Sequence, residues 1–344
     1  MRLGLIARAD TRGLGVQTRA MYDNLHPDRT LVVDCPSAQP LPLRMDWYPD
    51  ATWVHGLPTA KDMRWWLKDL THVYTAETGY GTALWDEAER QGVKTVLHAN
   101  WEFLNRADRP SVWAAPSLWN FGDFPAPKLH LPVPIETDRF PVRRWPAQAT
   151  AQNFLCIVGR PTWNGAQDLH RNGTVDVVRA LQHVTTDISV TFRCQAPGYV
   201  EGLLQAARVP SNVTVMVESG DAPNYWTAYD NMDCLLMPRR FGGLSLPLNE
   251  ALGAGIPTLM TDIAPNNQWL PKPWLVKAEP CGSFVAKQRV QMYQVDHRLY
   301  AAKIDEMASS ARVFADARME AQRLGGELSW SSLRETYRKT FEEL

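Results

Sequence analysis

The residues best suited to chemistry lie in Met237-Pro-Arg-Arg-Phe-Gly-Gly-Leu-Ser-Leu-Pro-Leu-Asn-Glu-Ala-Leu-Gly-Ala-Gly-Ile-Pro-Thr-Leu-Met-Thr-Asp262. The pattern reads strand, glycine loop, helix, glycine stop, strand. A glycine loop entering a helix presents backbone N–H groups that no helical carbonyl can take, at the positive end of the helix dipole. A diphosphate suits such a place, where the dipole contributes roughly 0.3–1 kcal/mol when exposed and up to ~2 when partly buried. Gly242, Gly243, Leu244 and Ser245 form the loop, with Arg240 beside it. Glu250 falls within the helix on the side facing the loop, where a carboxylate can accept both hydroxyls of a ribose. A plain βαβ turn, tightened at Gly243 and with Glu250 as a solvated helix residue, fits the same letters.

Three further groups deserve the same question. Gly159-Arg160-Pro161 ends a strand, and Arg171-Asn172-Gly173 opens a helix. Two cations so placed, Arg160 and Arg171, can clamp a pyrophosphate from two sides and stabilise charge on a leaving group; two surface arginines are the plain alternative. Arg12-Gly-Leu-Gly-Val-Gln-Thr18 follows the first strand, and Gly13 and Gly15 would let backbone approach a phosphate or sugar. Thr18 stands where a dinucleotide fingerprint needs its third glycine, which weakens a dehydrogenase reading. His98 ends a strand in Thr95-Val-Leu-His-Ala-Asn-Trp-Glu102, the end at which open α/β sheets bind ligands. A lone histidine is as readily structural. Glu102 is a candidate for acceptor binding or proton removal, and Trp101 offers an aromatic face of the kind that binds sugar rings, unless it serves packing.

Two α/β domains must position these groups. The 344 residues exceed one ordinary core. Strands are expected at Leu3–Ala7, Thr30–Val33, Ala51–His55, Thr71–Tyr74 and Lys94–His98, with helices over Gly15–Leu25 and Thr82–Arg90. A second series runs from Asn153–Val158 through a helix at Asn172–His183, strands at Ile188–Arg193, Val213–Val217 and Asp233–Met237, the helix Leu248–Ala254 and the strand Pro257–Thr261. Residues 116–146 carry seven prolines and read as a linker. Tyr300–Leu344 reads as helical, broken near Gly325-Gly326. This divides the chain into 1–146, 147–325 and a C-terminal helix, 326–344.

Composition narrows the function classes. Hydrophobic residues make up 45% and charged residues 21%, a globular balance. A net charge of −1 supplies no general field toward nucleic acid or anionic membrane. Five scattered cysteines form no CxxC pair and read as thiols of a reducing compartment. The chain opens on a strand-like MRLGLIA with no leader pattern, and no apolar run reaches the ~18 residues of a membrane span. A cytoplasmic location is expected.

The residues around 237–262 resemble the signature of the family 4 retaining glycosyltransferases, a proline followed by Glu-x-Phe-Gly-Leu-Pro-x-x-Glu-Ala, a small residue, glycine and x-Pro-Val. Pro238, Leu246, Pro247, Glu250, Ala251, Gly255 and Pro257 match it. Leu244 and Ser245 stand where the pattern has Phe and Gly, and Gly242 stands where the first Glu of its Glu-x7-Glu pair belongs. The Gly-Arg and Arg-Asn pieces, the loop at Arg12–Thr18, His98, Ala115-Pro-Ser117 and the crossover-like Leu131–Phe140 follow in the family's order. The resemblance implies a GT-B fold: two Rossmann-like domains facing across a cleft, with a C-terminal helix crossing back to the N-terminal domain. It implies transfer of a sugar from a nucleotide-diphosphate donor to a hydroxyl, with retention. Glu250 then binds the donor ribose, Gly243, Leu244 and Ser245 bind sugar and phosphates, Arg160 and Arg171 hold the diphosphate, and His98 contacts the sugar near the reacting carbon. Arg239 and Arg240 could replace the hydrogen bonds lost at Gly242. No Asp-x-Asp triplet occurs, so neither a metal nor a cofactor beyond the donor is expected. The acceptor stays open among glycan, small molecule, protein and hydroxymethylated DNA base. Alternatives are a nucleotide-sugar epimerase of the same fold and a degenerate sugar-nucleotide-binding module.

Overall fold

Leu-Gly-Leu-Ile-Ala at residues 3–7 is buried throughout, as a strand covered by helices on both faces must be. The computed structural model describes residues 1–35, 42–141, 144–159, 163–164, 167–168, 171–220 and 224–344, the two dipeptides by backbone alone. They form two compact units: unit 1 comprises Met1–Pro134, Ala286–Gln288 and Trp330–Leu344, and unit 2 Ile135–Val285 and Arg289–Ser329.

In unit 1, β1 (Leu3–Ala7), β2 (Arg29–Asp34), β3 (Thr52–His55), β4 (His72–Ala76), β5 (Lys94–His98), β6 (Val112–Ala115) and β7 (Lys128–His130) make one parallel sheet in the order β3-β2-β1-β4-β5-β6-β7. Met21 of α1 (Gly13–Leu25) and Tyr337 and Phe341 of the last helix, α9 (Trp330–Glu342), pack on one face. Met63 and Trp66 of α2 (Ala60–Trp66) and Leu84 and Trp85 of α3 (Ala83–Gln91) pack on the other. The proline-rich stretch read as linker thus contains the edge strand β7.

Unit 2 repeats the plan. Its strands β8 (Asn153–Gly159), β11 (Ile188–Cys194), β12 (Val213–Ser219), β13 (Cys234–Met237), β14 (Thr258–Thr261) and β15 (Leu275–Val276) order as β12-β11-β8-β13-β14-β15. A short antiparallel pair, β9 (Trp163–Asn164) and β10 (Gln167–Asp168), follows β8. Helices α4 (Thr174–Leu181), α5 (Tyr199–Gln205), α6 (Leu246–Gly253), α7 (His297–Ser309) and α8 (Ala311–Glu327) surround the sheet. A hairpin of β16 (Ala278–Val285) and β17 (Arg289–Val295) follows as a separate two-stranded sheet. In both units the strand order reverses between the first and fourth strands, which opens a crevice at their carboxyl ends.

Close packing requires glycine at two positions, Gly325 and Gly15. The last break falls at Leu328–Ser329, not at Gly325-Gly326, which lie inside α8. A Cβ on Gly325 would lie 2.3 Å from the Leu252 carbonyl oxygen. A Cβ on Gly15 would lie 1.9 Å from the Asp10 carbonyl oxygen, so the start of α1 seats against the exit of β1 only without a side chain. Gly15→Ala is expected to destabilise the protein by about 1–3 kcal/mol in denaturant unfolding, the cost of overpacking. Gly122→Ala, which meets open space, should stay within ~0.5 kcal/mol of the parent. Equal midpoints for the two variants would contradict the packing role.

Candidate functional site

The glycine loop of unit 2 is built where β13 ends. Gly173, at φ 73°, caps α4, and a Cβ there would lie 2.1 Å from the Pro238 carbonyl oxygen. The start of α4 is therefore pressed onto the exit of β13. Asn172 Nδ2 donates to the Ile157 carbonyl at 3.0 Å, which ties the same turn to β8. The Arg240 N–H donates to the Arg171 carbonyl at 3.0 Å.

Two guanidinium groups then shape the loop. Arg171 Nη2 donates to the Gly242 carbonyl at 3.1 Å, with its guanidinium 5.1 Å from the Phe241 ring centre. Buried Arg239 donates to the Gly242 carbonyl at 3.1 Å and to the Leu244 carbonyl at 2.9 Å. A trans peptide carries its C=O and the following N–H on opposite sides. With the carbonyls of Gly242 and Leu244 drawn to the arginines, the N–H groups of Gly243 and Ser245 point away from them. Ser245 caps α6, its Oγ accepting from Leu248 N at 3.4 Å, and Pro247 occupies the first turn. Two amides directed away from the arginines thus stand at the positive end of a capped helix.

Arg240 is turned elsewhere. Its Nε lies 3.3 Å from Oδ2 of Asp176, a fully buried carboxylate in the first turn of α4. Asp176 Oδ1 meets His297 Nε2 at 3.0 Å. The Arg240 carbonyl accepts from Tyr293 N of β17 at 2.7 Å, and Phe241 stacks edge-on with Phe284 of β16 at 4.9 Å. The added hairpin therefore braces the loop from one side while Arg171 and Arg239 hold it from the other. Asp176, His297 and this hairpin escaped the sequence reading. The alternation of buried Val290 and Met292 was the available signal for β17.

Glu250 is not a solvated helix residue. Its Oε2 lies 2.5 Å from the Tyr229 hydroxyl. Burial pushes its carboxyl up to about 7; the Tyr229 hydroxyl works against that rise, and nearby Glu136 adds to it. Arg160 lies outside the described residues, so of the expected cation pair only Arg171 is placed.

In unit 1, Gly13 opens α1 after the exit of β1. Buried Asp10 orders that turn, accepting from Arg12 N at 3.0 Å, with Nε of Arg8 and of Arg12 each at 3.6 Å. His98 is 2% exposed. Its Nδ1 lies 2.7 Å from the Tyr74 hydroxyl, which also accepts from Gln17 Nε2 at 3.2 Å. Burial lowers the imidazole to about 4, against a hydrogen bond with the Leu131 backbone, so it is neutral at pH 7. Glu102 is also buried, in the 3₁₀ turn Trp101–Phe103. Trp101 Nε1 donates to Asp123 Oδ2 at 2.9 Å, with its ring 4.9 Å from that of Trp119.

Two doubly wound parallel units with these strand orders, a capped glycine loop after the fourth strand of the second, define the GT-B fold. Solved structures agree along the full length of both chains. HepE of Anabaena, bound to UDP and glucose, superposes with a TM-score of 0.71 at 11% identity, covering 100% of each chain. Sucrose-phosphate synthase of Thermosynechococcus elongatus gives 0.66 at 12% identity over 100% of each chain. The apo lipopolysaccharide outer core galactosyltransferase WaaB gives 0.65 at 11% identity with the same coverage. No family model and no curated protein sequence matches the chain. Among the described residues, no helix is long and apolar enough to cross a membrane.

Proposed function

We propose that this protein is a glycosyltransferase that takes a sugar from a nucleoside-diphosphate donor held by unit 2. The carrying observation is the pair of N–H groups, Gly243 and Ser245, directed away from Arg171 and Arg239 at the start of α6 because those arginines hold the carbonyls of Gly242 and Leu244. Glu250, in the second turn of that helix, would accept the ribose hydroxyls. The fold shared with HepE, a protein solved with UDP-glucose, supports the same reading. Arg171 has five N–H donors and can hold both the Gly242 carbonyl and a phosphate oxygen. With Arg160 and the loop amides it would neutralise the departing diphosphate without a metal, and the acceptor hydroxyl would enter from the face the diphosphate leaves. Transfer in that way would retain the anomeric configuration and would need no carboxylate nucleophile. Unit 1 would take the acceptor, with His98 fixing the end of β5 through Tyr74 as a neutral group.

A thermal-shift screen of nucleoside diphosphates and their sugars tests the donor. The right compound at ~100 times its Kd should stabilise the protein by about 2.7 kcal/mol. Turnover should persist in excess chelator, and proton NMR of the product should show the donor's anomeric configuration. Silence toward every nucleoside diphosphate would sink the proposal. Binding with no transfer would instead favour the sugar-nucleotide-binding module that Gly242 in place of a glutamate suggests.

A further inference from the structure

We propose that Tyr229 is a positioning residue of the donor site: it orients the Glu250 carboxyl, which is protonated in the free protein, and yields it to the ribose hydroxyls, so that donor binding expels a proton. This rests on the reading of Glu250 as the ribose ligand.

A count of hydrogen-bond protons carries the inference. The Tyr229 hydroxyl has one proton and two acceptors in reach, Glu250 Oε2 at 2.5 Å and the Pro247 carbonyl at 3.3 Å. When Glu250 is protonated it donates to Tyr229, Tyr229 donates to Pro247, and every contact is made. When Glu250 is ionised, Tyr229 must turn to it, and Pro247 loses that bond. Two ribose hydroxyls bring two new donors. A carboxylate accepting both is favoured as the anion, and the displaced proton goes to solvent.

The surroundings of Glu250 favour the same resting state. Glu136 precedes the 3₁₀ turn Thr137–Arg139. It accepts from the Tyr225 hydroxyl at 3.0 Å and pairs with Arg139 Nε at 3.1 Å. Tyr225 and Tyr229 close the 3₁₀ segment Tyr225–Tyr229 at either end. Gly253, one turn after Glu250 and on the same face, is packed by Phe140 and Ile135. The other elements against α6 meet different faces: α8 lies where Gly325 approaches the Leu252 carbonyl, and β13 and β14 pack through the apolar core. Burial with a second carboxylate nearby keeps Glu250 protonated up to about 7, and the Tyr229 hydroxyl is the group that limits the rise.

The test has a ligand-free arm and a ligand arm. Carbon-13 NMR of glutamate-labelled full-length protein should show one carboxyl titrating near neutrality. That signal should be absent from Glu250→Gln and shifted to higher pH in Tyr229→Phe, which loses the donor to the anion. Calorimetry with UDP, ADP, GDP and dTDP, in two buffers of different ionisation enthalpy, should show proton release for the nucleotide that binds. Its affinity should fall roughly ten-fold per pH unit below about pH 7 and level off above it. Absence of the near-neutral carboxyl, or its indifference to Tyr229→Phe, overturns the inference. So does nucleotide binding without proton release. If the variants misfold, the titration and proton release of the unaltered protein still decide. If the titration behaves as expected but no nucleoside diphosphate binds, the donor-site reading fails and takes the hand-over with it, leaving only the Tyr229–Glu250 pair.

Discussion

Asp176→Ala is expected to cost roughly 3–5 kcal/mol of stability, the penalty of stripping one partner from a buried ion pair. Asp176 is fully buried and receives Arg240 Nε at 3.3 Å and His297 Nε2 at 3.0 Å. Its removal strands the Arg240 guanidinium, whose side chain is only 13% exposed. Arg240 also anchors the glycine loop through its backbone, so the loss should reach the site. Donor affinity should drop alongside the unfolding midpoint, because the loop amides lose their fixed direction. Asp176→Asn keeps the shape and one acceptor and should fall between the two proteins. Denaturant unfolding and nucleotide titration check both parts. A change below ~0.5 kcal/mol would mean that Asp176 does not organise this corner.

Arg171→Ala should lower kcat/KM by at least about 30-fold, equivalent to ~2 kcal/mol of transition-state stabilisation. Two losses combine in it. One is a cation beside the departing diphosphate. The other is the bond that draws the Gly242 carbonyl toward Arg171 and so turns the Gly243 amide away from it. Arg171→Lys separates them, since lysine restores the charge but not the planar fork. Recovery by lysine would assign the effect to charge, and failure of lysine to recover would assign it to loop geometry. Steady-state kinetics of Arg171→Ala equal to the parent would remove Arg171 from the site.

The strands β1, β5 and β8 were readable because each is a short run of apolar residues bounded by glycine, proline or polar residues. That signal is local. The segment 237–262 was readable for the same reason: strand, loop, cap and helix are adjacent in the chain and carry their own punctuation. Gly325 was misread because a glycine chosen for close packing against Leu252 has the same letter as one chosen for a turn. The hairpin β16–β17 was missed because proline and glycine interrupt the first strand at Pro280 and Gly282, and its residues are mostly exposed.

Residue order alone thus settled the two α/β halves and the place of the glycine loop after β13, since hydrophobic period and turn chemistry act over a few residues. The partners of that loop were beyond its reach. Asp176 meets Arg240 and Arg171 meets Gly242 because β8 and β13 lie side by side and bring distant segments to one end of a sheet, and Tyr229 meets Glu250 because the segment before β13 packs on the helix that follows it. Whether Glu250 is a solvated carboxylate or a partly buried acid depends on what folding places around it. Its desolvation and the nearness of Glu136 come from packing, which no local spacing encodes.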